Sequence, residues 1–303
     1  MRWAWLGPAL LVSSTQCRGA ESARVLTPTP SVASSSSTKT RAPLDVQPSP
    51  PRASTASPAA TVIIEPIAAT PSPESLPHVE IEFPIAEQRI WRQKAAGCRV
   101  RLGVSDWPLG KDGAAVQLSL DDHPPTLVTS SSSSPRLGEL LPEDRELELG
   151  AHRLFAVAVR GNGETIKPTA PTSLAPYAVV RFYVGERGLP EPDRPTLVYS
   201  QPRGTFNGEV ATDSMLVDFY LLNVVLSEKT WGVKVRIDGR AGSWSTSVHE
   251  WQPLRVRGLP SGDYDVSLEL VSSTGAPADA PGGRVQRTIT VNRDAPVAEA
   301  GDT

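Results

Sequence analysis

The stretch Cys98–Asp121, CRVRLGVSDWPLGKDGAAVQLSLD, returns 117 positions later as Met215–Asp238, MLVDFYLLNVVLSEKTWGVKVRID, without a gap. Val100, Leu102 and Val104 fall on Val217, Phe219 and Leu221. Val116, Leu118, Leu120 and Asp121 fall on Val233, Val235, Ile237 and Asp238. In both copies apolar residues recur at every second position, the period of a strand with one face on a core and the other on solvent. A self-match at this spacing marks a duplicated unit of about a hundred residues. The fold class that follows is all-β, with two similar domains in tandem.

Working outward, the first unit is expected over residues 78–186 and the second over 196–293, joined by a short Pro-rich segment at 187–195. Val79-Glu-Ile-Glu-Phe83, Arg153-Leu-Phe-Ala-Val-Ala-Val159 and Ala178-Val-Val-Arg-Phe-Tyr-Val184 complete the strands of the first unit. Leu197-Val-Tyr199, Asp265-Val-Ser-Leu-Glu-Leu270 and Arg287-Thr-Ile-Thr-Val291 do so in the second. After the Asp121/Asp238 pair the match resumes at an offset of 112, with Gly150 on Gly262, His152 on Tyr264 and Leu154 on Val266. The first unit therefore carries five extra residues, for which the run Ser130–Ser134 is the expected seat. Loops absorb such insertions at little cost, because closure entropy grows slowly with length.

Short strands separated by turns every eight to twelve residues or so describe a β-sandwich. Val235-Arg-Ile-Asp-Gly239, a polar excursion, and Gly258-Leu-Pro-Ser-Gly-Asp-Tyr-Asp-Val266 resemble the immunoglobulin-like or fibronectin-III-like modules of exported bacterial lipoproteins. The first unit repeats the pattern at Leu118–Asp122 and Leu147–His152. The resemblance covers residues 79–292 and implies a fold; such sandwiches host many unrelated activities.

The N-terminus implies export. Arg2 precedes an apolar run, Trp3–Val12, long enough for a signal segment over residues 1–17 and too short to span a bilayer. Cys17 closes this run in the manner of a bacterial lipoprotein signal, in which the cysteine is acylated; Gln16 and Ser14 depart from the family's small residue and leucine at those places. The resemblance implies a lipid anchor at Cys17 and a membrane partner, in the bacterial outer membrane and periplasm or at the cell surface. Residues 18–77 hold eleven prolines and eleven serines. That composition cannot bury enough apolar surface to offset its ordering entropy, so a disordered linker is expected. Sixty such residues span about 45 Å as a coil and about 190 Å as extended polyproline II. Thr61-Val-Ile-Ile64 is an apolar island within it, read as a sticky spot, an extra edge strand or a short partner-binding motif. Residues 294–303 are expected to form a disordered tail.

Chemistry is sparse. Nucleophile elbows, zinc helices, phosphate loops and dinucleotide-binding glycine turns are absent, so neither a catalytic residue nor a cofactor is assigned and the protein is read as non-enzymatic. A net charge of −3 argues against nucleic acid as a partner. Asp121, Asp122 and His123 could ligate a metal were His152 to fold beside them. A turn shared by Asp121 and Asp238 is the simpler account, and no metal site is assigned. Cys98 matches Met215 and reads as a small hydrophobe in a strand. The copies differ most at Trp231, Trp244 and Trp251, which either cover the core or stand exposed as contacts for a protein partner or for glycan or peptidoglycan.

Overall fold

The computed structural model describes residues 61–168, 175–188, 194–280 and 282–295. The signal segment, Cys17, the linker as far as residue 60, part of the Pro-rich joint and most of the C-terminal tail lie outside the described residues. Sixteen strands follow in chain order. The first, β1, is Ile63–Pro66. The first unit contributes β2 (His78–Phe83), β3 (Gln88–Ile90), β4 (Arg101–Ser105), β5 (Ala115–Leu120), β6 (Thr126–Val128), β7 (Gly150–Val159) and β8 (Tyr177–Val184). The second contributes β9 (Thr196–Gln201), β10 (Gly204–Asn207), β11 (Met215–Leu222), β12 (Trp231–Gly239), β13 (Gly242–Val248), β14 (Leu254–Arg257), β15 (Gly262–Ser272) and β16 (Arg284–Asn292).

Both units are immunoglobulin-like sandwiches built to one plan. One sheet runs β3-β8-β7-β5-β6 in the first unit and β10-β16-β15-β12-β13 in the second. The facing sheet is β2-β4 in the first and β9-β11-β14 in the second. Each first strand leaves its sheet at a cis X-Pro bond, Phe83–Pro84 or Gln201–Pro202. The chain then joins the other sheet as β3 or β10, parallel to the last strand. The inward residues expected from the repeat fill the two cores: Val116, Leu118, Leu120 and Leu154 in one, Val233, Val235, Ile237 and Val266 in the other.

Four expectations are corrected. First, the apolar island at Thr61–Ile64 is the extra edge strand among its readings: β1 pairs antiparallel with β14, Ile64 opposite Val256, so the linker does not run on to residue 77 and the second sandwich borrows a strand from before the first. Val62 and Ile64 pack against the second core, which is the gain that orders them. Second, the insertion of the first unit is not at Ser130–Ser134. The bridge Arg99–Arg136 corresponds to Leu216–Arg255, which sets Leu140 on Leu259. Ten positions then lead from Leu140 to Gly150 but only three from Leu259 to Gly262, so the extra chain is the loop 141–149. Third, Asp121 and Asp238 do not share a turn. Asp121 follows β5 in a turn with φ of 51°, whereas Asp238 lies within β12, bonded to Arg236 and Ser243. Fourth, Cys98 precedes β4, half-buried against the first core, because the chain there is held by Ala95 and Leu137 instead of by β2.

The outward faces of the central strands do not meet solvent. Ala115, Phe155, Val157 and Val159 of the first sandwich pack on Val198, Tyr220 and Leu222 of the second as a third apolar core. A strand buried on both faces reads as a near-continuous apolar run, which is what Leu154–Val159 and Phe219–Leu222 are.

Candidate functional site

The seam between the sandwiches is polar at its heart. Asp218, on β11 of the second sandwich, is fully buried and accepts from the Thr165 amide at 2.7 Å, the Thr165 hydroxyl at 2.8 Å and Lys167 Nζ at 2.6 Å. Gln117 Nε2 donates to the Tyr199 carbonyl, and Ser200 Oγ donates to Gln117 Oε1. Buried polar groups are tolerable only when satisfied in this way, and their geometry then fixes one arrangement of the two units. The segment after β1 adds a strap: the Thr70 amide and hydroxyl both donate to the Glu164 carboxylate, and Arg160 donates to the Pro71 carbonyl.

A cavity of about 440 Å³ opens along this strap, lined by Thr70, Pro71, Arg160, Glu164, Lys167 and Trp251 among others. Each of its charged groups already has a protein partner. Trp251 donates from Nε1 to the Phe219 carbonyl at 3.0 Å, meets Tyr220 edge-on at 4.9 Å, and has Lys167 Nζ 6.0 Å from its ring centre. Trp244 leans on Tyr264 at 6.2 Å. Trp231, Trp244 and Trp251 are all half-buried and packed against the second core. They do not converge: Trp231 starts β12, and Trp244 stands opposite Ile237, six residues and about 20 Å further along that strand.

His152 does fold beside Asp121. Its Nδ1 lies 2.8 Å from Asp121 Oδ2 and its Nε2 lies 3.0 Å from the Glu148 carbonyl, with Phe182 stacked at 5.4 Å. Among the described residues no group of three or more His, Cys, Asp and Glu could hold a metal ion. The role of His152 is instead legible from its counterpart. Tyr264 donates its hydroxyl to the carbonyl of Pro260, four residues back, a tyrosine corner; His152 makes the same bond to Glu148, also four residues back. Burial pushes the imidazole pKa down, but the Asp121 hydrogen bond and charge and the Glu148 carbonyl raise it above 6.5 overall. Both ring nitrogens face acceptors, so the doubly protonated ring is the form that satisfies both bonds.

Among the described residues the aromatic most open to solvent is one that sequence reasoning passed over. Trp91 is 63% exposed and follows β3, with the Arg89 guanidinium 4.8 Å from its ring centre. Arg89 Nε donates to the Gly185 carbonyl at 2.6 Å, and Leu149, 60% exposed, sits against Gly185. The signal was the run Arg89-Ile-Trp-Arg92, in which an aromatic lies among cations just beyond a strand.

No protein-family model matches the chain, and no curated protein matches it in sequence. Solved structures resemble it in fold. Fibronectin(III)-like modules of Clostridium thermocellum CbhA share 16% identity over 71% of this chain and 94% of theirs, with a TM-score of 0.24. A Ca2+-stabilized adhesin that helps an Antarctic bacterium bind ice shares 14% over 74% of this chain and 50% of its own, with a TM-score of 0.22. Bacteroides ovatus SGBP-B, in complex with a mixed-linkage heptasaccharide, shares 13% over 71% and 47%, with a TM-score of 0.20.

Proposed function

We propose that the protein is a non-enzymatic lipoprotein of the bacterial cell envelope, in which Cys17 holds the membrane, the Pro/Ser-rich tract is the spacer, and the paired sandwiches form a rigid display unit for a binding partner. The observation that carries the display role is the seam. Two sandwiches joined by a flexible joint need no common core, whereas these bury Phe155, Tyr220 and Asp218 between them and are strapped by residues that precede both. Inter-domain motion is the default only where the interface is small and polar. Rigidity of this kind suits presentation of surfaces at fixed spacing. The anchor is tested by Cys17→Ala followed by membrane fractionation. Wild-type protein is expected in the membrane fraction and the variant in the soluble one; a variant that stays with membranes refutes lipidation at Cys17.

A further inference from the structure

We infer that the end of the first sandwich formed by Trp91, Arg89 and Leu149 is a binding face for a carboxylated polysaccharide. The inference rests on reading the protein as a display module and names the chemistry displayed. The duplication supplies the control. Ile90 pairs with Val184 as Phe206 pairs with Val291, so Arg89, Trp91 and Gly185 correspond to Thr205, Asn207 and Asn292. Gly150 corresponds to Gly262, so Leu149 corresponds to Ser261. In the second sandwich this end is small, polar and self-satisfied: Asn292 Nδ2 donates to Asn207 Oδ1 at 3.1 Å, and Ser261 Oγ accepts from the Arg293 amide at 3.0 Å. In the first sandwich the same positions carry a tryptophan, an arginine and a leucine, none of which the fold requires there.

Three features make that end a built surface instead of a stray hydrophobe. The loop 141–149, present only in the first unit, delivers Leu149, and His152 pins it through the Glu148 carbonyl. Gly185 makes room: a Cβ there would stand 2.8 Å from Leu149 Cδ2. Arg89 is bonded to the Gly185 carbonyl while it stacks on Trp91, which holds the indole in place and covers one face. With 63% of Trp91 exposed, the other face is open.

The charge selects the ligand. Residues 85–101 contain Arg89, Arg92, Lys94, Arg99 and Arg101 against a single carboxylate, Glu87, which Arg187 already pairs at 2.7 Å. Among the described residues no carboxylate lies within ion-pair distance of Arg89, Arg92 or Lys94. Glu148 adjoins Leu149 and Glu186 adjoins Gly185 in the chain, and the loop 141–149 also carries Glu143, Asp144 and Glu146, so the cationic contrast belongs to the segment around Trp91. A pyranose presents a weakly positive C–H face that complements the negative face of an indole. A uronate adds a carboxylate that guanidinium and ammonium groups within one turn of Trp91 can bind.

The test is native affinity electrophoresis of the full-length protein in gels containing alginate, polygalacturonate or neutral dextran, with pelleting on phosphatidylglycerol vesicles as a separate arm. Retardation by a carboxylated polysaccharide and not by dextran is expected. Trp91→Ala should weaken it about tenfold, which is about one decade of dissociation constant. Arg92→Gln with Lys94→Gln should weaken it and flatten its salt dependence. Val225→Ser, at a residue 79% exposed in the second unit, should change nothing. The inference is overturned if the wild type ignores both acidic polysaccharides or if Trp91→Ala binds as the wild type does. It is also overturned if Trp91 is needed only for vesicle pelleting, which would assign the face to lipid. The vesicle arm is run on a Cys17→Ala background so that a lipid anchor cannot pellet the protein, and fractionation tests the anchor independently.

Discussion

Replacing Asp218 by alanine should cost more than any single change on the surface, and the structure says why. The carboxylate is fully buried and is the shared acceptor of three donors from the other sandwich, at 2.6, 2.7 and 2.8 Å. Its removal leaves the Thr165 amide without a partner and takes the acceptor from the Thr165 hydroxyl, in a residue only 2% exposed. It also leaves the Lys167 ammonium, whose side chain is 12% exposed, without a counter-charge and with the Thr165 hydroxyl at 3.2 Å as its remaining acceptor. Breaking a buried pair from one side typically costs about 3–5 kcal/mol, because the surviving charge keeps its desolvation penalty. Lys167 borders the strap cavity and can turn toward it, which places the expectation at the lower end, about 3 kcal/mol. For a folded unit of this size that is about 6–12 °C of melting temperature. Urea unfolding should be followed by tryptophan fluorescence and by far-ultraviolet circular dichroism together. In the wild type the two signals should coincide; in Asp218→Ala the midpoint should fall and the signals separate, since the lost bonds are those that make two sandwiches unfold as one. Asp218→Leu with Lys167→Met should recover the part of the loss that comes from the buried charge, while the Thr165 amide and hydroxyl stay unpaired. A loss under about 1 kcal/mol with coincident transitions would refute the argument that this network couples the units.

Three further outcomes follow from the same geometry. His152 has its pKa raised in the folded protein, so its contribution to stability is fully present below 6.5 and fades as pH rises through the folded value; Tyr in its place, as at Tyr264, should remove that slope from a series of melts across this range. Asp213 is held down to about 2 by Arg293, at 2.7 and 3.0 Å, and by the Gly258 amide. Its contribution is present above 3.8 and is lost as pH falls toward 2, so Arg293→Gln should move acid unfolding, read by circular dichroism, to higher pH. Ile64→Lys should free β1 from β14, seen as rapid cleavage at residues 61–72 in limited proteolysis with the sandwiches intact; an unchanged digestion pattern would show that the backbone pairing alone holds the strand.

What the sequence made legible was what the two copies share. Period-two alternation at Val100–Val104 and Val217–Leu221 is imposed by burial of one face, and it located the cores to the residue. The seam was harder to read because it is written on the opposite face of the same strands. Phe155, Val157, Tyr220 and Leu222 broke the alternation, and Asp218 stood as a lone carboxylate in an apolar strand, but only the packing says that these features meet each other. The apolar island at Thr61–Ile64 admitted an edge strand among its readings, but four residues inside a Pro/Ser/Ala tract have no periodicity to decide it, and the partner strand lies about 190 positions away. Trp91 was missed for a different reason. The most conspicuous divergence between the copies is in the second unit, where Trp231, Trp244 and Trp251 pack half-buried against its core, whereas Trp91 of the first unit stands exposed.

The topology also orients the proposed surfaces. Because β1 docks on β14, the N-terminal tract joins the folded unit at the second sandwich and not at β2, which follows it by eleven intervening residues. Undocked, residues 61–77 would lengthen the spacer by about 55 Å of contour. Docked, they carry the chain across the seam to Glu164 and Arg160, just beyond the Val159 end of β7. Leu149 stands immediately before the other end of β7, ten residues and about 33 Å away along the strand. The strap and the Trp91 face therefore lie at opposite ends of the first sandwich.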